Sequence, residues 1–533
     1  MTETPTPTAP ATVGVRVVEL LERLGVDTVF GIPGSHNLSL FDGLARSSVR
    51  LVSPRHEQGA GFAADGYARA TGRPGVLITT TGPGILNAAT ALATAYADSI
   101  PVLAISTGAR IADEGRELGW LHETKAQHAS IDGLVTSVRC RSEQQVYAAI
   151  VETFARWQVE RTRPVNIEVP LDLLAETAAS PLPEIPSLSA PAPSARAIAA
   201  AAQAVARARR PILVAGGGAL GARDELEALA SLVGAPLVTT RAGAGLRYAG
   251  PDGADPTTVL PYAPEVLAEH DLMIVIGSEL SRRDVPEPFR AGLPPVVRVD
   301  IEPARLTASR AGDVLIVADA AEGVAALVAA LEGESLSARD RAAEERRLAE
   351  AVHASYPGPL RGLHEALERA LGADAIITGD SSQVSYLGTG VHYGFSQPRS
   401  FLYPDGFAPL GFGLPAAIGA SLGGTGRRVT ALVGDGAFLF SVQELSTAVA
   451  ERAEVLVLVV ENDGYKEIEE EMEAAGVSPV GVRFDYPDPV AVAAAFGATS
   501  ARASSLDELE SLIRRMSGTM GPVVIAIRED SLG

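Results

Sequence analysis

The chain has 533 residues, 47% of them hydrophobic, which is more apolar side chain than one core holds, so roughly three domains of ordinary size are expected. With 44 basic residues against 65 acidic ones the net charge is −21; this repels nucleic acid and anionic membranes, and any anionic small-molecule ligand must be held locally against the global field. Cys140 is the only cysteine, which excludes an intrachain disulfide or a thiolate metal cluster. No apolar run reaches 18 residues, and the start, MTETPTPTAPAT, lacks the basic and apolar stretches of a signal peptide. A soluble cytoplasmic protein with a short disordered Pro/Thr tail is expected.

In chain order, the first segment opens with GIPGSHNL from Gly31 and with LVSPRHEQGAGFAADGYARATG. The latter sets Glu57 after a short strand and at the start of an Ala- and Gly-rich helix, where the helix dipole favours a carboxylate. GVLITTT, PVLAIST and PVNIEVP follow as buried strands between helical stretches, the pattern of a parallel sheet covered on both faces. Residues 178–197, rich in Pro, Ser and Ala, read as an extended linker. The second segment repeats the alternation with PILVAGG, LMIVIGS and VVRVDI, and its GGGAL and VVRVDIEP look nucleotide-binding. A charged stretch, 337–360, is expected to be helical in its first part and ended by Pro357 and Pro359. The third segment carries AIITGD, VTALVGDG and VLVLVVEN. The fold class is therefore α/β, with three doubly wound parallel-sheet domains at 12–178, 195–333 and 358–533. The stretches from Gly61 and from Gly411 share a small-residue helix, a Gly-Arg turn, a buried strand and a closing G-x-G, so two domains of one fold are expected to flank the middle one.

The chemistry concentrates in the third segment. Asp435 follows a buried strand between two glycines, and Asn462 ends the next strand, which a right-handed crossover places beside the first. Both would then project into the crevice at the C-terminal strand ends. An Asp oxygen, an Asn amide oxygen and a carbonyl freed by the Gly464 turn make a hard donor set suited to Mg²⁺ or Ca²⁺, completed by phosphate and water. Taken singly, Gly-Asp-Gly and Asn-Asp-Gly are ordinary turns; on consecutive strand ends they read as a site. Ser441 and Glu444 form an S-x-x-E pattern, expected to cap a helix and leave N–H groups for an anion.

GDG, a helix, a strand and an N-D-G-Y turn resemble the diphosphate and metal motif of thiamin diphosphate enzymes of the 2-oxo acid decarboxylase and acetolactate synthase-like family. The likeness spans the chain from about Val13 to the C-terminus, and names the three domains as pyrimidine-binding, central Rossmann-like and diphosphate-binding. It implies Asp435, Asn462 and Gly464 as ligands of Mg²⁺, and Gly434, Gly436, Ala437 and Tyr465 as cofactor contacts. The family usually has Asn-Asn where this chain has Glu461-Asn462, which adds a carboxylate near the site. Glu57 matches the catalytic glutamate that stabilises the imino tautomer of the aminopyrimidine, with Gly82 and Asn87 as pyrimidine contacts. Leu410 matches the wedge that bends the cofactor into a V, and Ala408 the carbonyl that accepts its N4′ hydrogen bond. In this family the two domains that enclose one cofactor come from different chains, so a homodimer is the minimum and a homotetramer is common.

The resemblance implies attack of a cofactor ylide on a 2-oxo acid, loss of CO₂ and an enamine, which is then protonated to release an aldehyde. Carboligation to a second carbonyl, as in acetolactate synthases, is the first alternative and a non-catalytic binding protein on the same scaffold the second. GVDTVFGIPGSHNLSLFDGLA, SPRHEQGAGFAADGYARATGRPGV and ELGWLHETKAQ carry a nearest resemblance to 5-guanidino-2-oxopentanoate decarboxylase-like proteins. Ser35 resembles a serine that meets the substrate carboxylate in benzoylformate decarboxylases, whose additional histidine falls at Ile78 here. His36 lies beside Ser35, and His122, with Glu123, stands where acetolactate synthases have Gln-Glu, placing it to relay a proton. Glu467, Ile468 and Glu471 follow the metal turn as substrate-side candidates, their carboxylates suited to a guanidinium, while Glu469 and Glu470 are expected to be solvated. FAD in the central domain stays a secondary possibility, since a glycine run out of context is a weak signal.

Overall fold

The computed structural model describes residues 11–248, 260–306, 312–334, 336, 340–356 and 358–532; most of the Pro/Thr start and Pro357 lie outside them. The chain forms two compact units, one of residues 1–68, 73–158 and 162–188, the other of the remainder.

In the first unit β1 (Thr28–Gly31), β2 (Arg50–Val52), β3 (Gly75–Thr79), β4 (Val102–Gly108), β5 (Thr136–Arg139) and β6 (Val165–Pro170) form a sheet in the order β2-β1-β3-β4-β6-β5. All its pairings are parallel. The helix Val13–Arg23, capped by the Thr12 hydroxyl on the Val15 N–H at 3.3 Å, buries Val17, Val18, Leu20 and Leu21 against Ile78, Leu103, Ile105 and Ile167. Ile78 is thus fully buried core, paired with Gly31 in register.

The second unit holds two sheets. The central one comprises β7 (Pro211–Ala215), β8 (Leu237–Thr239), β9 (Leu272–Ile276), β10 (Val296–Asp300) and β11 (Val314–Val317), in the order β11-β10-β9-β7-β8. Successive side chains of one strand serve opposite faces: Leu213, Ile274 and Ile276 pack on helices Arg223–Val233 and Ala320–Leu331, whereas Ile212, Val214, Met273 and Val275 meet Leu348 and Val352 of helix Arg341–Ser355. The charged stretch is thus helical over Arg341–Ser355, as expected. Its first part is a packed layer of the central domain, with Glu345 accepting the Leu237 N–H at 3.0 Å, and Pro359 starts the next helix, at the position where its missing N–H and fixed φ suit a first turn. The GGG run serves packing: Gly218 N–H donates to the Gly277 carbonyl at 2.9 Å, and a Cβ on Gly216 would lie 2.6 Å from that oxygen.

The last sheet comprises β12 (Ile376–Gly379), β13 (Phe401–Leu402), β14 (Val429–Gly434), β15 (Val455–Glu461), β16 (Thr499–Ala503) and β17 (Val523–Arg528), in the order β13-β12-β14-β15-β17-β16, all parallel. Counted within each sheet, this is the strand order of the first unit. Thus the three α/β sheets expected from the alternating pattern are present, with one topology used twice.

Candidate active site

In each unit the candidate residues lie at strand ends. In the first unit the loop after β1 is held by buried Asn37, whose Oδ1 accepts the Gly34 N–H at 2.8 Å and whose Nδ2 donates to the Ile32 carbonyl at 3.1 Å. Ser35 is exposed at its tip. His36 is half-buried and meets His122 edge to face, with ring centroids 5.3 Å apart. Burial first, then His122 and Arg110, hold the His36 imidazole below its ordinary pKa, which favours the neutral ring. After β3, Gly82 has φ +65°, and a Cβ there would collide with the His122 carbonyl oxygen. Its N–H donates to Gln127 Oε1 at 2.7 Å, and Gln127 Nε2 donates to the Thr107 carbonyl at 2.9 Å, so one buried amide ties the ends of β3 and β4 to the loop that carries His122.

Glu57 occupies the first turn of helix Glu57–Thr71, half-buried, with Oε2 accepting from Asn87 Nδ2 at 3.0 Å. Glu57 thus meets Asn87, at the end of the short helix that Gly82 precedes, and His122 touches both Gly82, through its backbone, and His36, through its ring. Glu123 is otherwise engaged: its carboxylate accepts N–H bonds from Leu118, Gly119 and Trp120 and folds its own loop.

In the second unit a cavity of ≈ 260 Å³ opens at the C-terminal ends of β12, β14 and β15. Its lining brings together Ala408, Leu410, Gly434, Gly436, Ala437, Asn462, Gly464, Tyr465, Glu467 and Ile468. Glu471 is exposed and does not line it. Ala408 holds a left-handed φ of +53°, fixed by its N–H on the Pro404 carbonyl at 2.8 Å. The tight bend thus sits where the backbone meets the cavity.

Asp435 is 1% exposed. Its carboxylate accepts the N–H groups of Gly436 at 2.7 Å, Asn462 at 2.9 Å and Asp463 at 2.8 Å. Burial outweighs these bonds and raises its pKa. Two other carboxylates share the turn, and each has an arginine: Arg502 grips both oxygens of Glu461, and Arg528 pairs Asp463 at 3.0 Å. Among the described residues Asp435 has no cation partner. Asn462 Oδ1 is likewise buried without a hydrogen-bond partner. Two hard oxygen donors left wanting a positive charge, beside the Gly464 turn, fit a divalent cation. Gly436 is required by close packing: a Cβ there would lie 2.7 Å from the Tyr465 ring, which covers the main chain at the cavity.

Several features escape a reading of the sequence. Ser381, Ser382 and Gln383, after β12, line the cavity. The preceding residue, Asp380, is buried, accepts the N–H groups of Phe412 at 2.5 Å and Gly413 at 3.0 Å, and is pushed by burial up to about 7. Tyr386 donates its hydroxyl proton to Glu467. Residues 482–486 strap the Gly464 turn: Gly464 and Arg483 form an antiparallel bridge, Tyr465 N–H donates to the Val482 carbonyl at 2.8 Å, and the Tyr465 and Phe484 rings lie 5.1 Å apart. A side chain at Gly464, φ +139°, would strike the Val482 carbonyl. Only AIITGD, ending at Asp380, carried a signal, as a carboxylate on a strand end.

Two local expectations are corrected. Ser441 makes no capping bond, because Val442–Glu444 is a 3₁₀ turn; the Glu444 carboxylate instead accepts from the Thr447 hydroxyl at 2.6 Å, and the helix that opens beside the cavity is the short Asp435–Leu439. Glu469 and Glu470 are not merely solvated: Glu469 pairs Arg483 at 2.6 Å and Glu470 accepts from Gln383 at 2.9 Å, since the strap and the loop after β12 pack on that helix.

Comparison with known proteins matches this geometry. The thiamine pyrophosphate enzyme family accounts for most of the chain, with its N-terminal TPP binding domain over residues 11–133, its central domain over 198–327 and its C-terminal TPP binding domain over 383–527. Over 98% of its length the chain is 40% identical to "Probable 2-ketoarginine decarboxylase AruI" of Pseudomonas aeruginosa, covering 95% of that protein. It is 29% identical to the acetolactate synthase isozyme 1 large subunit of Escherichia coli, over 97% of this chain and 93% of the relative. With an acetolactate synthase of Mycobacterium bovis the identity is 33%, over 84% and 75%. No helix among the described residues is long and apolar enough to cross a membrane. The chain belongs to the thiamine pyrophosphate enzyme family.

Proposed function

We propose that this enzyme decarboxylates a 2-oxo acid with thiamin diphosphate held through Mg²⁺, releasing CO₂ and an aldehyde, and that it works as a homodimer or homotetramer. The observation that carries the reading is the pair Asp435 and Asn462: a buried carboxylate without a cation and a buried amide oxygen without a partner, on adjacent strand ends beside a cavity. When bound, the cofactor supplies an electron sink for the bond pair left by departing CO₂.

The residues of the chain then divide the work. Asp435, Asn462 Oδ1 and the Gly464 carbonyl hold the cation, while the main chain of Gly434, Gly436 and Ala437, with Tyr465, receives the diphosphate. Leu410 and Ala408 shape the seat of the rings. Glu57, oriented by Asn87, holds a proton at the pyrimidine end, where Gly82 lets the His122 backbone approach closely. Ser35 and His36 meet the substrate carboxylate, and His122, packed on a His36 held neutral, moves the proton that completes the aldehyde. Glu467, oriented by Tyr386, with Ile468 and Glu471 beside it, favours a substrate ending in a guanidinium, in line with the relative named for 2-ketoarginine. The glycine run of the central domain is occupied by packing, so the proposal includes no flavin.

Carboligation is the second reading, favoured by the relatives named acetolactate synthase. A panel of pyruvate, benzoylformate and guanidino 2-oxo acids, assayed for CO₂, aldehyde and acyloin, separates them. Equal amounts of CO₂ and aldehyde, greatest with a guanidino acid, are expected. A 2-hydroxy-2-acyl product from pyruvate without aldehyde establishes the carboligase instead, and no rise in melting temperature with Mg²⁺ and thiamin diphosphate leaves only a non-catalytic scaffold.

A further inference from the structure

Two walls of the ≈ 260 Å³ cavity come from parts of the chain far apart in sequence. One is the turn from Pro404 to Ala408, closed by the Ala408 N–H on the Pro404 carbonyl at 2.8 Å and leading into Leu410. The other is Glu467, held by the Tyr386 hydroxyl from the π-helical turn Val384–Thr389. A single residue of the central domain reaches both: Arg241, just past β8.

Arg241 is 6% exposed, and a guanidinium so deeply placed must be paired. Its Nη1 donates to Asp405 Oδ1, inside the Pro404 turn, at 2.6 Å, and its Nε donates to the Tyr262 hydroxyl at 2.8 Å. That hydroxyl donates in turn to the Tyr386 carbonyl. The guanidinium carbon lies 5.0, 5.6 and 5.9 Å from the ring centroids of Tyr262, Tyr403 and Tyr386, so aromatic rings cage it. A Cβ on Gly390, just after the Tyr386 turn, would collide with the Tyr262 hydroxyl, which shows how closely that phenol is packed there. Asp405 also pairs with the exposed Arg283 at 3.1 Å. Its charge is therefore met without a buried arginine, and what Arg241 adds is the second arm, toward Tyr262 and Tyr386, at the fixed angle of a planar fork.

We propose that Arg241 is a positioning residue for the reaction: it ties the turn that bears Ala408 and leads to Leu410 to the tyrosine that orients Glu467, so that the seat of the cofactor rings and the carboxylate for the substrate's cationic end keep one spacing. This rests on the roles given to Ala408, Leu410 and Glu467 under the proposed function.

The test compares variants of the full chain by two readouts: the Kd of thiamin diphosphate with Mg²⁺, from isothermal titration calorimetry, and KM and kcat for CO₂ release from 5-guanidino-2-oxopentanoate and from pyruvate. Asp405→Ala frees only the arm to the ring seat and is expected to weaken cofactor binding by about 10-fold. Tyr262→Phe keeps the ring and frees only the arm to Tyr386; the ratio of KM for the guanidino acid to KM for pyruvate is expected to rise by about 10-fold, with the cofactor Kd held. Arg241→Met, which keeps an apolar stem among the rings and leaves Arg283 on Asp405, is expected to show both shifts together. Parent-like constants in Arg241→Met overturn the proposal even if its melting temperature falls, since that marks a structural ion pair. Single variants that each shift both constants alike overturn it too, because they mark general loosening. If the parent releases no CO₂ from either acid, the proposed reaction falls and calorimetry decides alone: the role of Arg241 then stands only if Asp405→Ala and Arg241→Met weaken the cofactor and Tyr262→Phe does not. If the parent binds no cofactor, both readings fall.

Discussion

The sheets β2-β1-β3-β4-β6-β5 and β13-β12-β14-β15-β17-β16 repeat one strand order, so each offers a crevice at the same topological switch, between β1 and β3 in one and between β12 and β14 in the other. Register makes the correspondence residue by residue. Gly31 pairs with Ile78 as Gly379 pairs with Leu432. Three residues past Ile78 stands Thr81, and three past Leu432 stands Asp435; each is buried and followed by a glycine. Thr81 shares a hydroxyl hydrogen bond with Thr107 at 2.7 Å, whereas Asp435 gathers three backbone N–H groups and lacks a cation. After the terminal glycines come Ile32 in the first sheet and buried Asp380 in the last. Topology thus favours where a ligand goes, and the side chains at equivalent strand ends bias what it is: neutral donors and imidazoles beside the half-buried Glu57 in one crevice, fully buried carboxylates in the other. Under the proposed function, the first would take an uncharged ring and hand on a proton, and the second would hold a cation and a diphosphate.

The largest effect expected from this division is at Glu57. Glu57→Gln keeps an oxygen for Asn87 but no transferable proton, so CO₂ release should fall by about 10³-fold while Mg²⁺ with thiamin diphosphate still raises the melting temperature as in the parent. Turnover at the parental rate would break the assignment of proton chemistry to the first crevice.

Asp380 sharpens the contrast through pH. Burial lifts its carboxyl to about 7, above its ordinary 3.8, so the protonated form is favoured on folding. The associated stability is complete below pH 3.8 and is lost as the pH rises through about 7. Asp380→Asn retains an oxygen for the Phe412 and Gly413 N–H groups and removes the titration. From pH 5 to 8 the variant should therefore gain on the parent in thermal or urea unfolding, by up to about 1.4 kcal/mol per pH unit below the folded pKa. Parallel pH profiles would take Asp380 out of the charged crevice.

The smallest effect belongs to Gln127, which has no charge to lose. Gln127→Ala leaves the buried Gly82 N–H without its acceptor and the Thr107 carbonyl without its side-chain donor, a loss of about 1–3 kcal/mol, seen as a lower melting temperature. Turnover should drop far less than in Glu57→Gln; an equal drop would make Gln127 part of the chemistry rather than of its support.

Residues joined to a motif by a few positions in the chain were legible in advance, because strand ends, turns and glycines are local statements. Glu57 at a helix start, Asp435 and Asn462 on consecutive strand ends and the Gly464 turn belong to this class, as does the alternation that gives three parallel sheets. The Ser441 and Glu444 pattern shows the limit even of local reading, since a 3₁₀ turn took the place of the expected cap. What only the tertiary structure decided are pairings across the sheet and between loops. Arg502 finds Glu461 from two strands away, Tyr486 reaches Glu461 from a strap without periodicity, Gln127 meets Gly82 across 45 residues, and Glu469, which looked solvated, meets Arg483. The physical reason is the same in each case: a hydrogen bond or ion pair depends on distance in space, and the parallel crossover connections that set those distances leave no trace in local composition. Thus the sequence by itself determined the fold class, the cation donors and the catalytic glutamate proposed here, whereas packing decided which charges are compensated, and so why the carboxylate added at Glu461 leaves Asp435 the one still wanting a cation.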